Sequence, residues 1–272
     1  EPALLAITNV IVKDITCFGE KGEVDVTLNG GVAPFSYHFT SSSGIEQSTT
    51  QKTLLGKGTH TLLIRDANGC EVGYPQSIVI TAPATPLSFT YTLSDFNGFN
   101  ISCFGATDGI ADIVASGGNG SGYVGYKYIL DDTFAQDNVR IKNIGAGTHT
   151  LAVKDGRGCT VSKTVTFTAP PSQLITTLLS KSDVKCFGDT DGKLSVLTTG
   201  GVQPYTYKLN DVLTQQTGSF SGLAPGDYTL VISDKNGCTT EYHNTVHVLT
   251  PPMEITMLKT DVTCHNGSDG AV

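Results

Sequence analysis

The sequence predicts an all-β protein built from tandem immunoglobulin-like antiparallel β-sandwiches. The chain contains 31 glycines and 11 prolines among its 272 residues, and these separate short stretches in which apolar and polar side chains alternate, as they do in strands. No stretch shows the apolar period of a long amphipathic helix. One set of motifs also recurs about every 80 residues, which is the size of a small β-sandwich.

The repeated motifs divide the chain into three complete repeats and the start of a fourth. C-F-G occurs at Cys17, Cys103 and Cys186, and a further cysteine lies at Cys264. Later in each complete repeat come G-x-[HY]-T-L and D-x-x-G-C, and a proline-containing joint closes the repeat. The predicted domains are repeat 1, repeat 2, repeat 3 and a truncated start of repeat 4, at residues 1–83, 84–170, 171–252 and 253–272.

The elements of one repeat can be predicted in order from the first copy. Alternating patterns predict three strands, a short fourth strand precedes a glycine, and a strong fifth strand ends at a tight Ala-Asn-Gly turn before the last strand. Six or seven strands per repeat follow, in the order 7–16, 23–28, 35–39, 53–55, 59–65 and about 70–80. The truncated fourth repeat is too short to bury a core, so we expect it to be disordered or to pack on a neighbour.

A turn late in each repeat supports the sandwich prediction. In the third repeat, L-A-P-G-D-Y-T-L places Tyr228 at the entrance to a late strand, where immunoglobulin-like domains have a tyrosine corner. The first and second repeats have His60 and His149 at this position. We expect all three side chains to have a packing role.

Composition and charge exclude several classes of function. The net charge is -8, the isoelectric point is about 5.1 and the 17 basic residues are scattered, so neither a nucleic acid nor an anionic membrane surface is an expected partner. No apolar run is long enough to be inserted in a membrane. The sequence also lacks a nucleophile elbow, a phosphate-binding glycine loop and an H-E-x-x-H motif. We therefore predict that the protein is not an enzyme and has no catalytic residues.

The order of the motifs resembles the SprB repeat family of large surface adhesins in gliding Bacteroidota. The resemblance lies in C-F-G-x-x-D-G, then V-x-x-x-G-G-x-x-P-Y-x-Y, then L-x-x-G-x-Y-T-L-x-[IV]-x-D-x-N-G-C. The third repeat is the most similar, whereas the first has Glu20, Lys21 and Gly22 where the others have Thr-Asp-Gly, and the second carries extra residues at 119–126 and 131–143. The resemblance implies export by the type IX secretion system and display as filaments that the gliding machinery moves.

For an exported β-domain, the cysteines suggest one disulfide per repeat. The expected pairs are Cys17 with Cys70, Cys103 with Cys159, and Cys186 with Cys238, while Cys264 is left unpaired. The number of strands provides a check on this pairing. The turns that hold the first and the second cysteine of a repeat lie at the same end of a six-stranded sandwich but at opposite ends of a seven-stranded one. A seven-stranded sandwich would instead require a broken first strand or pairing between neighbouring repeats, such as Cys70 with Cys103.

Calcium is an alternative role for the acidic turns, and no other cofactor is expected. Asp108 and Asp191 lie in the first-cysteine loops, and Asp155 and Asp234 precede the last turns. Within-repeat disulfides would bring these carboxylates together, and calcium prefers oxygen ligands. The alternative interpretation is that these aspartates are ordinary turn residues.

Ligand contacts, if there are any, should come from the loops that do not repeat. Tyr123 and Tyr126 lie among glycines in the second repeat, and loops on a rigid sandwich often carry binding. The alternative is that these tyrosines cover the sheet.

The repeats predict a structural stalk or filament segment, and the resemblance implies that it belongs to a very large adhesin, located outside the cell at its surface and involved in attachment and gliding. At about 3.3 Å per strand residue, three such domains would span on the order of 100 Å. The expected partners are neighbouring repeats of the same long chain, with surface polysaccharide or other surface proteins as further candidates. Two alternatives remain: a glycan- or surface-binding module, and accessory repeats of a large secreted enzyme.

Overall fold

A computed structural model describes residues 3–120, 125–133, 135–250, 252–263, 265–266, 268 and 271. All of the regular secondary structure in these residues is β-strand, arranged in antiparallel sheets. No helix in the described part of the chain is long and apolar enough to cross a membrane.

The first repeat forms two facing sheets from eight strand segments. These are β1 (Ala6–Lys13), β2 (Gly22–Asn29), β3 (Ser36–Ser41), β4 (Gly44–Ser48), β5 (Lys52–Leu55), β6 (Gly58–Arg65), β7 (Glu71–Gly73) and β8 (Ile78–Ile80). One sheet has the order β1-β2-β5, and the other has β4-β3-β6-β7 with β8 also paired to β6. The segments β7 and β8 are thus one last strand, interrupted around Pro75. The sequence analysis did not predict strand β4.

The second repeat has the same order with fewer regular strands. Its strands are β9 (Ser88–Leu93), β10 (Gly109–Ser116), β11 (Lys127–Leu130), β12 (Arg140–Ile144), β13 (Gly147–Lys154) and β14 (Thr160–Phe167). They form the sheets β12-β10-β9 and β11-β13-β14. An isolated bridge between Tyr128 and Gln136 stands where the first repeat has its β3–β4 hairpin.

The third repeat is a seven-stranded sandwich. Its strands are β15 (Ile175–Ser182), β16 (Gly192–Thr199), β17 (Thr206–Leu209), β18 (Leu213–Gln215), β19 (Ser219–Leu223), β20 (Gly226–Ser233) and β21 (Thr239–Val246). The sheets are β15-β16-β19 and β18-β17-β20-β21. The immunoglobulin-like sandwich predicted from the sequence is therefore confirmed.

The core of each sandwich comes from the inward residues of both sheets. In the third repeat, Leu194 and Val196 of β16 pack with Tyr207 of β17 and with Leu230 and Ile232 of β20. A corresponding cluster fills the first repeat. Because side chains alternate along each strand, every second residue of β16 is buried, and this alternation fixes which face of the strand points inward.

The corner bond expected of Tyr228 is present in the third repeat, and the histidines at this position in the other two repeats, for which only packing was expected, make an equivalent bond. The Tyr228 hydroxyl donates to the carbonyl oxygen four residues earlier at 2.9 Å. In the other repeats, Nε2 of His60 and of His149 lies 3.0 and 3.1 Å from the equivalent carbonyl oxygen. Since a carbonyl can only accept, this imidazole nitrogen takes the place of the phenol as donor.

The contacts divide the chain into two compact units. One comprises residues 1–94 and 107–167, and the other comprises residues 95–106 and 168–272. The loop 95–106 belongs to the second repeat in sequence but lies in the unit that holds the third sandwich. In the truncated fourth repeat, the described residues contain no strand, and Met253, Ile255 and Leu258 are exposed.

Candidate functional site: the cysteine junctions

The first cysteine of every repeat opens the same tight turn. The backbone N–H three residues after Cys17, Cys103 and Cys186 donates to the carbonyl oxygen of that cysteine, at 3.0–3.1 Å. The glycine of each C-F-G motif has a positive φ, at 87°, 76° and 90°. A turn of this kind needs such a φ at its third residue, which explains the glycine. The phenylalanine at the second position is left half exposed or more in all three copies.

The second cysteine of every repeat lies in a turn held by a buried aspartate. In D-x-x-G-C, one carboxylate oxygen of Asp66, Asp155 and Asp234 accepts the backbone N–H groups two and four residues later, at 2.9–3.0 Å. The other oxygen accepts an N–H from the G-G-x loop, at 2.8–3.0 Å. Each carboxylate therefore fixes two loops and positions the cysteine that follows it.

The electrostatics of these aspartates follow from their burial and their donors. Burial by itself would raise the pKa of Asp155, but hydrogen bonds from the backbone and side chain of Asn119 and from the backbone of Cys159 and Arg157 outweigh it and lower that pKa. The same balance, with donors at Val32, Cys70 and Asn68, lowers the pKa of Asp66. The carboxylates of Asp66 and Asp155 are thus charged in their buried positions because several N–H groups point at them.

Two disulfides connect neighbouring repeats. Cys17 bonds to Cys159 with a Cα–Cα distance of 5.6 Å, and Cys103 bonds to Cys238 with a Cα–Cα distance of 5.7 Å. The first cysteine of one repeat is therefore linked to the second cysteine of the next repeat. The predicted within-repeat pairs, Cys17 with Cys70, Cys103 with Cys159 and Cys186 with Cys238, are wrong, and the alternative pair Cys70 with Cys103 is not formed either.

The reason for this pairing is the direction of the strands. In the first and third repeats, the first-cysteine loop follows the first strand and the second-cysteine turn follows the sixth, so alternating strands place the two turns at opposite ends of the sandwich. The C-F-G loop lies at the end from which the chain leaves. The D-x-x-G-C turn lies at the end where the chain enters, and so it meets the C-F-G loop of the preceding repeat.

Asparagine side chains reinforce both junctions. In the first unit, Nδ2 of Asn119 donates to the carbonyl oxygen of Thr16 at 2.9 Å, next to the disulfide. In the second unit, Nδ2 of Asn236 lies 2.9 Å from the carbonyl oxygen of Ser102, and Nδ2 of Asn97 donates to Oδ1 of Asn236 at 2.6 Å. Asn119 and Asn236 come from different positions in the repeat, yet each contacts the carbonyl oxygen of the residue before a first cysteine.

A second recurrent contact was missed from the sequence. The residue three positions before the first cysteine is Asp14, Asn100 or Asp183, and its side-chain oxygen accepts a backbone N–H at the end of the last strand, at 2.6–3.0 Å. This bond ties the C-F-G loop to the joint that follows each sandwich. The signal was present as [DN]-x-x-C in all three repeats.

Two of the remaining three cysteines lie on the surface. Cys70 and Cys186 are free and exposed, and Cys264 lies outside the described residues. The same pattern would pair Cys70 with the first cysteine of another repeat and Cys186 with the second cysteine of another repeat.

The acidic turns do not form the calcium arrangement that the sequence allowed. The carboxylate oxygens of Asp155 and Asp234 accept hydrogen bonds from backbone N–H groups. Asp191 is exposed and accepts the N–H of Lys185 at 3.1 Å. Asp108 is half-buried. The expected proximity depended on within-repeat disulfides, which are absent. Among the described residues there is no group of three side chains able to hold a metal ion.

The tyrosine loop of the second repeat is described only in part. The hydroxyl of half-buried Tyr126 donates to the carbonyl oxygen of Gly117 at 2.8 Å, and Tyr205 of the third repeat makes the same bond to Gly200 at 2.6 Å. A shared structural bond favours the interpretation that Tyr126 covers the sheet. Tyr123 lies outside the described residues.

The fold and its junctions define a class of protein, a tandem array of immunoglobulin-like sandwiches cross-linked between neighbours. The SprB repeat model matches the chain at two segments, residues 9–44 and 178–214. These matches fall in the first and third repeats and confirm the resemblance seen in the motifs. No curated protein matches the sequence.

Several solved structures are similar in fold. The C-terminal fragment of intimin, solved with the intimin-binding domain of its translocated receptor, is 17% identical over 66% of this chain and 69% of that chain, with a TM-score of 0.35. A tetra-tandem repeat from the extending region of a large adhesion protein is 16% identical over 89% and 74%, with a TM-score of 0.25. A Ca²⁺-stabilised adhesin of an Antarctic bacterium is 15% identical over 89% and 74%, with a TM-score of 0.33.

Proposed function

We propose that this chain is a structural stalk or filament segment of a large adhesin displayed at the cell surface. The observation that carries the proposal is the pair of disulfides that link consecutive repeats, Cys17 with Cys159 and Cys103 with Cys238. Disulfides persist in oxidising, extracellular surroundings. The SprB repeat match supports an adhesin as the parent protein.

The overlap of the two disulfides suits a chain that carries load. Cys103 lies between Cys17 and Cys159 in the sequence, so the two covalent loops interlock. Pulling the ends of the array cannot separate adjacent sandwiches at their joints, because a covalent bond spans each joint beside the backbone. A structural role also explains why a buried aspartate recurs in every repeat, where its carboxylate accepts backbone N–H groups of a turn. These aspartates are Asp66, Asp155 and Asp234.

The finer assignment follows from the family. We assign the parent protein to gliding motility and to export by the type IX secretion system, because the SprB repeat is matched in two of the three repeats. In this role the repeats supply reach between the cell envelope and a tip that contacts the substratum. Their partners are then the neighbouring repeats of the same chain.

A replacement experiment in the parent adhesin separates a structural role from a binding role. Residues 1–252 would be exchanged for an equal number of unrelated β-sandwich repeats, and attachment and gliding speed would be measured at equal surface display. A stalk requires only length and stiffness, so we expect both to be retained. If attachment is lost while immunolabelling shows normal display, these repeats themselves bind the surface, and the glycan- or surface-binding alternative replaces the proposal.

A matched deletion serves as the control. Removing residues 1–252 without replacement shortens the stalk, and we expect attachment to fall although the remaining parts of the adhesin are intact. Unchanged attachment after this deletion would show that the segment supplies no needed reach. Both variants should be labelled with an antibody to another part of the parent to confirm display.

A further inference from the structure

Both junctions use an asparagine amide, but the amide comes from two different places in the repeat. In the third repeat it belongs to Asn236, the third residue of D-x-x-G-C. In the second repeat that position is Arg157, and the amide belongs instead to Asn119, which follows the G-G pair. The third repeat has Val202 at the position of Asn119. The change from asparagine to arginine at one position is therefore accompanied by a change from valine to asparagine at the other.

In the first unit, this amide contacts the preceding repeat at the disulfide itself. Nδ2 of Asn119 donates to the carbonyl oxygen of Thr16 at 2.9 Å, and Sγ of Cys159 lies 3.3 Å from that same oxygen. Nδ2 of Asn119 is also 3.6 Å from Sγ of Cys159. Because Thr16 immediately precedes Cys17, an amide bound to the Thr16 carbonyl holds Cys17 beside the sulfur with which it pairs.

In the second unit, the same arrangement is built from the other position. Nδ2 of Asn236 lies 2.9 Å from the carbonyl oxygen of Ser102, and Sγ of Cys238 lies 3.4 Å from that oxygen. Ser102 immediately precedes Cys103, which pairs with Cys238. The two junctions thus reach one geometry with different residues. What they share is an amide donor at one carbonyl oxygen.

Both kinds of cysteine turn form without a disulfide. The carboxylate of Asp66 accepts the N–H groups of Asn68 and Cys70 although Cys70 is free, and the C-F-G turn at Cys186 is closed although Cys186 is free. Backbone hydrogen bonds therefore set the geometry of these turns, and the sulfur–sulfur bond is not needed for it. An amide on one turn can consequently bind the carbonyl oxygen of the other turn while the thiols are still reduced.

We propose that Asn119 and Asn236 are positioning residues for disulfide formation. Each docks the C-F-G loop of one repeat on the second-cysteine turn of the next, and so brings the correct two thiols together before they are oxidised. Either the D-x-x-G-C turn or the G-G-x loop can supply the amide. The inference concerns how the junctions form and does not depend on the adhesin role.

Oxidised glutathione is a sufficient oxidant for this step. One cysteine thiolate attacks glutathione disulfide, forms a mixed disulfide and releases one reduced glutathione. The docked second thiolate then attacks the protein sulfur of the mixed disulfide and releases the second glutathione. Two S–H bonds of the protein are replaced by one S–S bond, and their protons and electrons leave with the two reduced glutathione molecules.

The test measures the effective concentration of each thiol pair. The other cysteines would first be removed from the full chain with Cys70→Ser, Cys186→Ser and Cys264→Ser. The protein would be equilibrated in mixtures of reduced and oxidised glutathione, and each disulfide quantified by mass spectrometry of non-reduced peptides. Asn119→Val introduces the residue that the other repeats have at this position. We expect it to lower the effective concentration of the Cys17–Cys159 pair about fivefold, the equivalent of one net hydrogen bond, and to leave the Cys103–Cys238 pair unchanged.

Asn236→Ala should have the reciprocal effect. It removes the amide of the second unit, so the Cys103–Cys238 pair should be weakened and the Cys17–Cys159 pair should be unchanged. Asn138→Val is the matched control for Asn119→Val, because Asn138 is an exposed asparagine of the same repeat whose side chain accepts the N–H of Arg140. It should change neither pair.

Moving the amide separates docking from a local role of Asn119. Nδ2 of Asn119 also donates to Asp155 at 2.9 Å, so its loss could act through the turn of its own repeat. Asn119→Val combined with Arg157→Asn recreates the arrangement of the third repeat without restoring that bond, and we expect it to return the Cys17–Cys159 pair to the value of the parent. No recovery in this double variant, equal effects of Asn119→Val and Asn138→Val, or equal weakening of both disulfides by one substitution would overturn the proposal.

Discussion

At the level of single residues, the second-cysteine turn depends on one charged carboxylate. Asp155 is 3% exposed and accepts four hydrogen bonds, two of them from Asn119. A buried charge is tolerated when N–H groups satisfy it, and bonds to a charged group are stronger than neutral ones. The position of Cys159, and with it the first junction, follows from this carboxylate.

This dependence predicts how the junction responds to acid. Because the pKa of Asp155 is lowered in the folded protein, its stabilisation is present above the ordinary carboxyl pKa of about 3.9 and is lost as the pH falls through the lower folded value. We expect Asp155→Asn to reduce stability by about 1–3 kcal/mol at pH 7 and to matter less below about pH 4. Thermal unfolding and hydrogen exchange of the 155–159 turn at both pH values would measure this. Asp132→Asn, on an exposed turn, is the control, and an equal effect at both pH values would contradict the charge argument.

The corner residues give a second test at this scale. Tyr228→Phe removes only the hydroxyl that donates to Ala224 at 2.9 Å, so the third sandwich should lose about 1 kcal/mol, the typical net value of one hydrogen bond. Tyr91→Phe, at a strand position of the second repeat that is 36% exposed, should cost much less. Denaturant unfolding, monitored for each variant in the repeat that carries the substitution, would decide, and equal losses for the two variants would mean that the corner bond is not stabilising.

At the level of elements, the G-G pair after the second strand lets two segments approach closely. A Cβ on Gly200 would lie 1.9 Å from the carbonyl oxygen of Gln173, and φ there is +78°. In contrast, Gly188 has a φ of +90° but nothing within 4 Å of its would-be Cβ. We expect Gly188→Ala to cost about 1–2 kcal/mol for its backbone conformation alone, and Gly200→Ala clearly more because backbone must move. Chemical denaturation of both variants would show the difference, and similar losses would argue against the close approach.

Some strands could be predicted from the sequence, and one could not. The third repeat alternates clearly, and its sandwich follows from the pattern of residues such as those of Gly192–Thr199. Strand Gly44–Ser48 was missed because it is short, begins with glycine and is mostly polar and exposed. That strand changes the strand count from six to seven and so decides which end of the sandwich holds the second cysteine. The spacing of the cysteines fits either pairing, so the partners could not be identified from spacing alone.

At the level of the whole molecule, the disulfides define which parts of the chain can extend. Cys17 bonds to Cys159, and Cys103 bonds to Cys238. Under tension the shortest covalent path from Cys17 to Cys238 crosses the first bond, returns along the 56 residues from Cys159 to Cys103 (159 minus 103), and crosses the second bond. After reduction the same ends are separated by 221 residues (238 minus 17). Within-repeat pairing would leave a path of similar length, so the wild-type protein alone cannot distinguish the two patterns.

Single substitutions do distinguish them in a pulling experiment. At about 3.5 Å per residue, the oxidised segment from Cys17 to Cys238 should extend to about 200 Å and the reduced one to about 770 Å. Cys70→Ser should leave the oxidised length unchanged, because Cys70 is unpaired. Cys159→Ser should open the first bond and lengthen the path to the 86 residues from Cys17 to Cys103 (103 minus 17), about 300 Å. With within-repeat disulfides, Cys70→Ser would instead add tens of residues to the path, so a longer Cys70→Ser chain would refute the linkage between repeats and the mechanical role proposed from it.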